Sequence, residues 1–436
     1  MPLLTFLFKR CFYSIPYSIP LFFCAAAIAQ SETPFLKKQA DILAARDMHG
    51  RGYVKGGGDK AAHYIRDQFQ QYGLKTFKDA GDYYQAYTFP VNTFPGVVSL
   101  RIDRKKLLPG RDFLVHPASS SIAIRNEKPI ILDLAGVKDS SVWQSVQKYF
   151  IPHATYLLKN IDTLLTHKNI PLRKLDTLFP APGVFILPMA KKLTWLATTG
   201  MTAATVFLVA DSITPKEVHS ITAKVQSRFL PAFSTQNILG FVPGTQQPDS
   251  FIVFSAHYDH LGMMGRHAIF PGASDNASGV AVLLSLARYY ATHPAPYSIA
   301  FMAFSGEEAG LLGSGYYVTH PVFPLKHIRL LINLDIAGDA TRGITVVNAT
   351  SPELKKEFTL MEKINKDGSY LSSLTARDQS KRSDHYQFSN KGVPAVYIYT
   401  NGIKPWYHDI RDTPQELGFE QVDGLLALLK EFVRRL

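Results

Sequence analysis

Four apolar runs of strand length recur through the C-terminal half of this 436-residue chain: Phe251–Ala256, Ile299–Phe304, Ile328–Leu334 and Ala395–Tyr399. Runs with little polar alternation suit strands buried on both faces, as in a parallel sheet covered by helices. Between the first two, Val280, Ala281, Leu283, Leu284, Ala287 and Ala291 recur at helical spacing, and Ser278 is the expected cap. Pro414 to Leu436 supplies a closing helix. This alternation predicts an α/β fold, a doubly wound and mostly parallel sheet with helices on both faces.

The runs end in groups that carry chemistry. His257 and Asp259 follow the first, Glu307 and Glu308 the second, and Asp335 the third. His408 follows the fourth by a short loop, and Asp275 sits in the run Gly272-Ala-Ser-Asp275-Asn-Ala-Ser-Gly279 that opens the helix. Open α/β sheets bind ligands just outside the carboxyl ends of their strands, so these groups converge on one crevice. Buried carboxylates gathered there repel one another, and a divalent cation removes that repulsion. Two histidines with three carboxylates and no cysteine suit Zn²⁺ or a similar first-row ion. Five ligands can hold two ions only if one carboxylate bridges, and Asp275, between the others in the chain, is the candidate. Glu307 is then placed as a general base and Glu308 as a ligand. Asp259 is placed to accept the second ring N–H of His257, and Asp412 to serve His408 in the same way.

Other chemistries lack their signatures. There is no Gly-x-Ser-x-Gly elbow, no His-Glu-x-x-His helix and no phosphate-binding Gly-x-x-x-x-Gly-Lys loop. Gly50-Arg51-Gly52 has Lys55 where a dinucleotide loop needs glycine. Asn276-Ala-Ser278 matches a glycosylation sequon but adjoins the candidate bridge. The only cysteines, Cys11 and Cys24, rule out a disulfide framework and a cysteine zinc site. Apolar residues make up 46% and charged residues 19%, which excludes disordered, collagen-like and coiled-coil chains. The net charge of +12 comes without an aromatic-interleaved basic motif, so no nucleic-acid partner is expected.

Lys9 and Arg10 precede an apolar stretch, Cys11 to Ala29, that ends in Ala25-Ala-Ala-Ile-Ala29 before Gln30. This reads as a signal peptide over 1–29, so the chain is expected to be exported, periplasmic or secreted, with no stable membrane insertion after cleavage. Pro16 and Pro20 weaken the alternative of a membrane anchor. Residues 30–92 read as helices with a strand-like end. From 93 to 232 short β-rich runs (Val97–Ile102, Pro129–Leu134, Val184–Leu187, Ala204–Ala210) flank a Lys-rich helical centre, the texture of an inserted β-rich domain. Because every candidate ligand lies in 233–436, that insert is expected to be dispensable for binding metal.

The segments Ser255-Ala-His257-Tyr-Asp259-His-Leu-Gly262, Gly272–Gly279, Phe304-Ser-Gly-Glu307-Glu308-Ala-Gly310, Asn333-Leu-Asp335, Ser383-Asp384-His385 and Tyr407-His408 are, in order and spacing, similar to metallopeptidase family 28. These are the co-catalytic di-zinc exopeptidases. His49-Gly50-Arg51-Gly52 resembles the family's N-terminal part. The resemblance implies a zinc exopeptidase fold, two Zn²⁺ per chain and peptide substrates trimmed from one end, most simply by aminopeptidase action. It implies Asp275 as the bridge, one zinc on His257 and Asp335, and the other on Glu308 and His408. Glu307 would be the base, Asp259 the partner of His257, and Tyr407 an oxyanion-stabilising group. It places a protease-associated domain at 93–232. Two alternatives share the fold: a single-zinc glutaminyl cyclase and a non-catalytic receptor-like relative.

Overall fold

In the computed structural model, the residues described are 31–77, 82–137, 140–167, 178–179, 181–403 and 405–436. The candidate signal peptide lies outside them. Among the described residues no helix is long and apolar enough to cross a membrane.

An eight-stranded mixed sheet forms the frame. Its spatial order is Tyr84–Thr93, Arg228–Val242, Tyr297–Phe304, Gln247–His257, Ile328–Leu334, Ala395–Thr400, Ile344–Val347, Leu374–Arg377. The four strands from Tyr297–Phe304 to Ala395–Thr400 run parallel, with antiparallel pairs on both sides of them. All four runs singled out in the sequence are these central strands. Their continuous apolarity has the expected cause. Ile252, Phe254, Ile299, Phe301 and Ile332 face a core shared with the helices Thr33–Leu43, Gly57–Gln71, Ser278–Thr292 and Val422–Arg435. Phe251, Val253, Ala300, Met302 and Leu331 face a second core with Tyr317, Val318 and Phe388 from the helices Leu312–Thr319 and His385–Ser389. Successive side chains alternate between two dry faces, so neither set can be polar. The strand Gln247–His257 has its chain successors on opposite sides, Tyr297–Phe304 and Ile328–Leu334, which is where such a sheet opens a crevice.

Ser278 does not cap its helix. The chain enters Ser278–Thr292 from a tight turn at Ala273–Ala277, and the Ser278 hydroxyl instead donates to the Ser274 carbonyl at 2.6 Å and accepts the Ala337 N–H at 2.9 Å. The hydroxyl thus ties the Asp275 loop to the end of the third strand.

Two further sheets are built from residues 98–225. One is antiparallel, in the order Lys105–Leu107, Val98–Ile102, Ile221–Val225, Ile122–Glu127. The other has the order Phe113–Val115, Ala204–Ala210, Gly183–Met189, Thr155–Lys159, Ile130–Asp133, its last four strands parallel. The Lys-rich centre, expected to be helical, therefore contains the buried strand Thr155–Lys159 between short helices. These sheets do not close a core of their own. Leu261, Met264, Ala268 and Phe270, from a hairpin that follows the first central strand, are packed into it. The strand Arg228–Val242 also runs without a break from this region into the main sheet.

Candidate metal centre

Each candidate ligand is delivered by a strand end or by the loop after it. His257 is the last residue of its strand, Asp335 follows Leu334 directly, and Glu307 and Glu308 follow Phe304 through Ser305 and Gly306. Asp275 is brought to the same place by a loop that is fixed from three sides. Arg51, wholly buried, donates to the carbonyls of Leu43, Tyr258, Pro271 and Gly272 at 2.6–2.8 Å. Asp412 accepts the Ser274 and Asp275 N–H groups at 2.9 and 3.1 Å. Asn276 donates to the carbonyls of His257 and Leu334 and accepts the N–H groups of Gly279 and Ile336. Its amide is thus buried and committed, which removes the sequon reading. Gly272 has φ +63, and a Cβ there would stand 2.2 Å from the Asp275 carbonyl oxygen and 2.4 Å from the His260 ring. Only glycine fits.

Arg51 carries a prediction. Arg51→Met should leave several dry carbonyls without a donor, at about 1–3 kcal/mol for each group orphaned. Urea unfolding of the variant should show a loss of several kcal/mol; a change within the range of a surface substitution would refute this role.

The geometry pairs the ligands around Asp275. Its Oδ1 lies 3.3 Å from His257 Nε2 and its Oδ2 3.2 Å from His408 Nε2. His257 Nε2 is also 3.3 Å from Asp335 Oδ1, and His408 Nε2 is 3.2 Å from Glu308 Oε2. None of these five side chains is more than 7% exposed, so water does not dissipate their charge. Charge-assisted N–H···O bonds between imidazolium and carboxylate contract to about 2.7–2.9 Å. Two ligands each about 2.0–2.1 Å from a tetrahedral ion stand about 3.3–3.4 Å apart. The observed separations match the edge of a coordination tetrahedron, and each half of the site offers one nitrogen and two carboxylate oxygens. The residues present therefore fit two zinc ions with Asp275 between them.

The main chain fixes both imidazoles. His408 Nδ1 is 2.8 Å from the Trp195 carbonyl oxygen, and His257 Nδ1 is 3.1 Å from the Asp259 carbonyl oxygen. A carbonyl only accepts, so Nδ1 carries the proton in each ring and Nε2 offers its lone pair to the site. Two sequence expectations change here. Asp412 does not serve His408, because both its oxygens are engaged by the Asp275 loop. The Asp259 carboxylate is 3.7 Å from His257 Nδ1, farther than the main-chain carbonyl of the same residue. It is drawn off by other donors: the Tyr53 hydroxyl at 2.6 Å and the N–H groups of Glu307 and Glu308 at 3.2 and 3.4 Å. Asp259 thereby holds the turn that presents the two glutamates.

The electrostatics follow from crowding in a dry space. Burial disfavours a charge on His257 and His408, but the carboxylates around each ring outweigh it and hold both pKa values well above the usual range. Burial likewise opposes ionisation of Asp275, yet the two histidines keep it well below the carboxylate range. Burial raises Glu308 too, but His408 and His260 outweigh it and bring its pKa to about 2. Glu307 goes the other way. Burial, reinforced by Glu308, Asp335 and Asp384 and only partly offset by His257, pushes it well above the ordinary value. It stands within 4.8 Å of ligand atoms of His257 and Asp335, beside the metal positions. Tyr407 is half exposed, and its ring stacks on that of His408 at 3.9 Å.

Several residues were given no role by sequence reasoning. His260 Nδ1 lies 2.6 Å from Glu308 Oε1 and turns the other oxygen of that carboxylate toward His408. The Ser383 hydroxyl donates to Asp335 Oδ2 at 2.7 Å. Asp384 is wholly buried, accepts the Ser314 hydroxyl, and is pushed up to about 7 by burial. The first stands inside a motif quoted above and the other two form Ser383-Asp384-His385, so the signal was present without an assignment. Trp195 carried none.

Residues 237–433 match peptidase family M28. Aminopeptidase YwaD of Bacillus subtilis is 30% identical over 219 residues, which are 46% of this chain and 46% of that protein. The chain thus aligns with less than half the length of that curated relative. A zinc aminopeptidase from Bacillus subtilis, BSAP, superposes with a TM-score of 0.65 at 18% identity, over 92% of this chain and 94% of the other. An aminopeptidase from Aneurinibacillus sp. strain AM-1 gives 0.62 at 19% identity, over 92% and 93%. At such identities these two establish the fold. Residues 237–433, just under half of the chain, are thus similar to peptidase family M28.

Proposed function

We propose that this protein is an exported zinc aminopeptidase that holds two ions and removes N-terminal residues from peptides. The observation that carries the reading is the split carboxylate of Asp275, each oxygen facing a different histidine at 3.2–3.3 Å. His257, Asp335 and Asp275 would hold one zinc, and Glu308, His408 and Asp275 the other. Zinc bound there supplies an acidified water and polarises the scissile carbonyl. Glu307 takes the proton of the attacking water and returns it to the departing amine. Burial raises its pKa above the ordinary value, the direction that lets a carboxylate hold the proton and give it back. Asp259 keeps Glu307 and Glu308 in register through their main-chain N–H groups. Tyr407, its ring stacked on that of His408, would donate to the developing oxyanion. From the segment 98–225, Lys192 and Trp195 reach the loop that carries His408.

Hydrolysis of aminoacyl-nitroanilides by purified protein, lost on treatment with a chelator and restored by zinc, tests the reading. Cyclisation of N-terminal glutamine in place of that hydrolysis would assign the site to the single-zinc alternative.

A further inference from the structure

We propose that the segment Lys192–Trp195 is a positioning element for the metal centre, so that the zinc on His408 and Glu308 depends on residues outside the part of the chain that supplies ligands. The inference rests on the reading of His408 as a zinc ligand.

His408 has φ +54, the left-handed region that costs a non-glycine residue about 1–3 kcal/mol and persists where its surroundings over-determine it. Trp195 supplies those surroundings. Its carbonyl accepts His408 Nδ1–H at 2.8 Å, and its N–H donates to the His408 carbonyl at 3.3 Å, so both main-chain groups of one residue clamp the ligand. Trp195 is itself immobilised. Its indole is buried, donates to the Val115 carbonyl at 2.8 Å and stacks on Phe270 at 4.5 Å. Phe270 lies two residues before Gly272, where the Asp275 loop begins, so one aromatic stack joins the base of that loop to the residue that holds His408. Lys192 adds a second clamp on the same loop, donating to the Pro405 and Tyr407 carbonyls at 2.7 and 3.1 Å. The loop 405–409 is therefore held across more than 200 positions of sequence. These bonds count against the expectation that 93–232 is dispensable for the metal set. Deleting the insert would free His408 Nδ1 and let the ring turn.

The test is zinc affinity, measured by competition with a chromophoric chelator on the full chain. Trp195→Ala keeps the main-chain carbonyl and N–H that hold His408 but removes the indole that fixes them, so it should bind one zinc as the wild type does and the other more weakly, by up to the about 10–100-fold that loss of an orienting partner costs. Trp195→Phe, which keeps the stack on Phe270, should recover most of that loss. In a His408→Ala background the tryptophan substitution should change zinc binding no further. Lys192→Met, on a half-exposed side chain, should weaken the same ion to a smaller extent and covers the case in which Trp195→Ala does not fold. Two tightly bound ions in the folded Trp195→Ala and Lys192→Met proteins would overturn the inference. So would an equal further loss from Trp195→Ala in the His408→Ala background, which would mean general loosening. A wild-type chain that binds no zinc would instead overturn the peptidase reading itself.

Discussion

Glu307→Gln should keep both zinc ions and lose about 10²–10⁴-fold in kcat, the usual cost of removing a positioned general base. Glu307 is not among the five side chains that pair around Asp275, so the metal set should survive. The main-chain N–H that anchors it to Asp259 also survives, because the substitution touches only the side chain. An amide has the same outline but does not accept the proton of the attacking water. A second readout separates loss of the base from misfolding. Burial holds the folded-state pKa of Glu307 well above the usual 4.5, so ionising it costs folding free energy. That cost is absent below about pH 4.5 and develops as pH rises from there toward the folded-state pKa. The metal-free Gln variant should therefore be more stable than the metal-free wild type at neutral pH, and the gap should close in acid. Near-normal kcat in a zinc-loaded Gln variant would remove Glu307 from the mechanism.

The candidate ligands could be picked out in the sequence because strand ends in a sheet buried on both faces announce themselves. An apolar run that stops at His257, Glu307 or Asp335 marks both the strand and the edge of the crevice. What the sequence could not convey is which main-chain groups complete the site. A carbonyl is present at every residue, so nothing in Trp195 distinguishes it as the acceptor for His408. Arg51 illustrates the same limit. Its motif was noticed, but its work is done by donating to four carbonyls, none of which has a side-chain signature. The Asp412 assignment failed for a related reason: proximity in sequence to His408 says nothing about the Asp275 loop, which reaches Asp412 first. Thr155–Lys159 was hidden in a Lys-rich stretch, because a five-residue strand between two short helices lacks the length that betrays the central four. That a hairpin from beyond residue 260 packs into the core of the insert carries no signal within 93–232.

Asp275→Asn should empty the site rather than merely impair it. Both carboxylate oxygens are in use, one toward His257 and one toward His408, and an asparagine offers a single acceptor. Whichever way the amide turns, one half of the centre meets an NH₂ group that does not ligate. The substitution also removes a negative charge from between two dications. Even two unit charges about 4 Å apart in partly buried surroundings interact by about 4 kcal/mol, so losing a carboxylate charge beside each dication should cost at least roughly three decades in affinity. The loop itself should hold its shape, because its anchors act on main-chain groups: Asp412 on the Asp275 N–H and Arg51 on the Gly272 carbonyl. Exhaustively buffered wild-type protein should carry close to two zinc per chain, and the folded Asn variant well below one. His257→Ala should instead spare the ion on Glu308 and His408. The contrast between the two variants is what isolates the bridge: equal retention of one ion in both would make Asp275 an ordinary ligand. A wild-type content of one zinc, with cyclisation of N-terminal glutamine, would transfer the site from the peptidase to the cyclase reading.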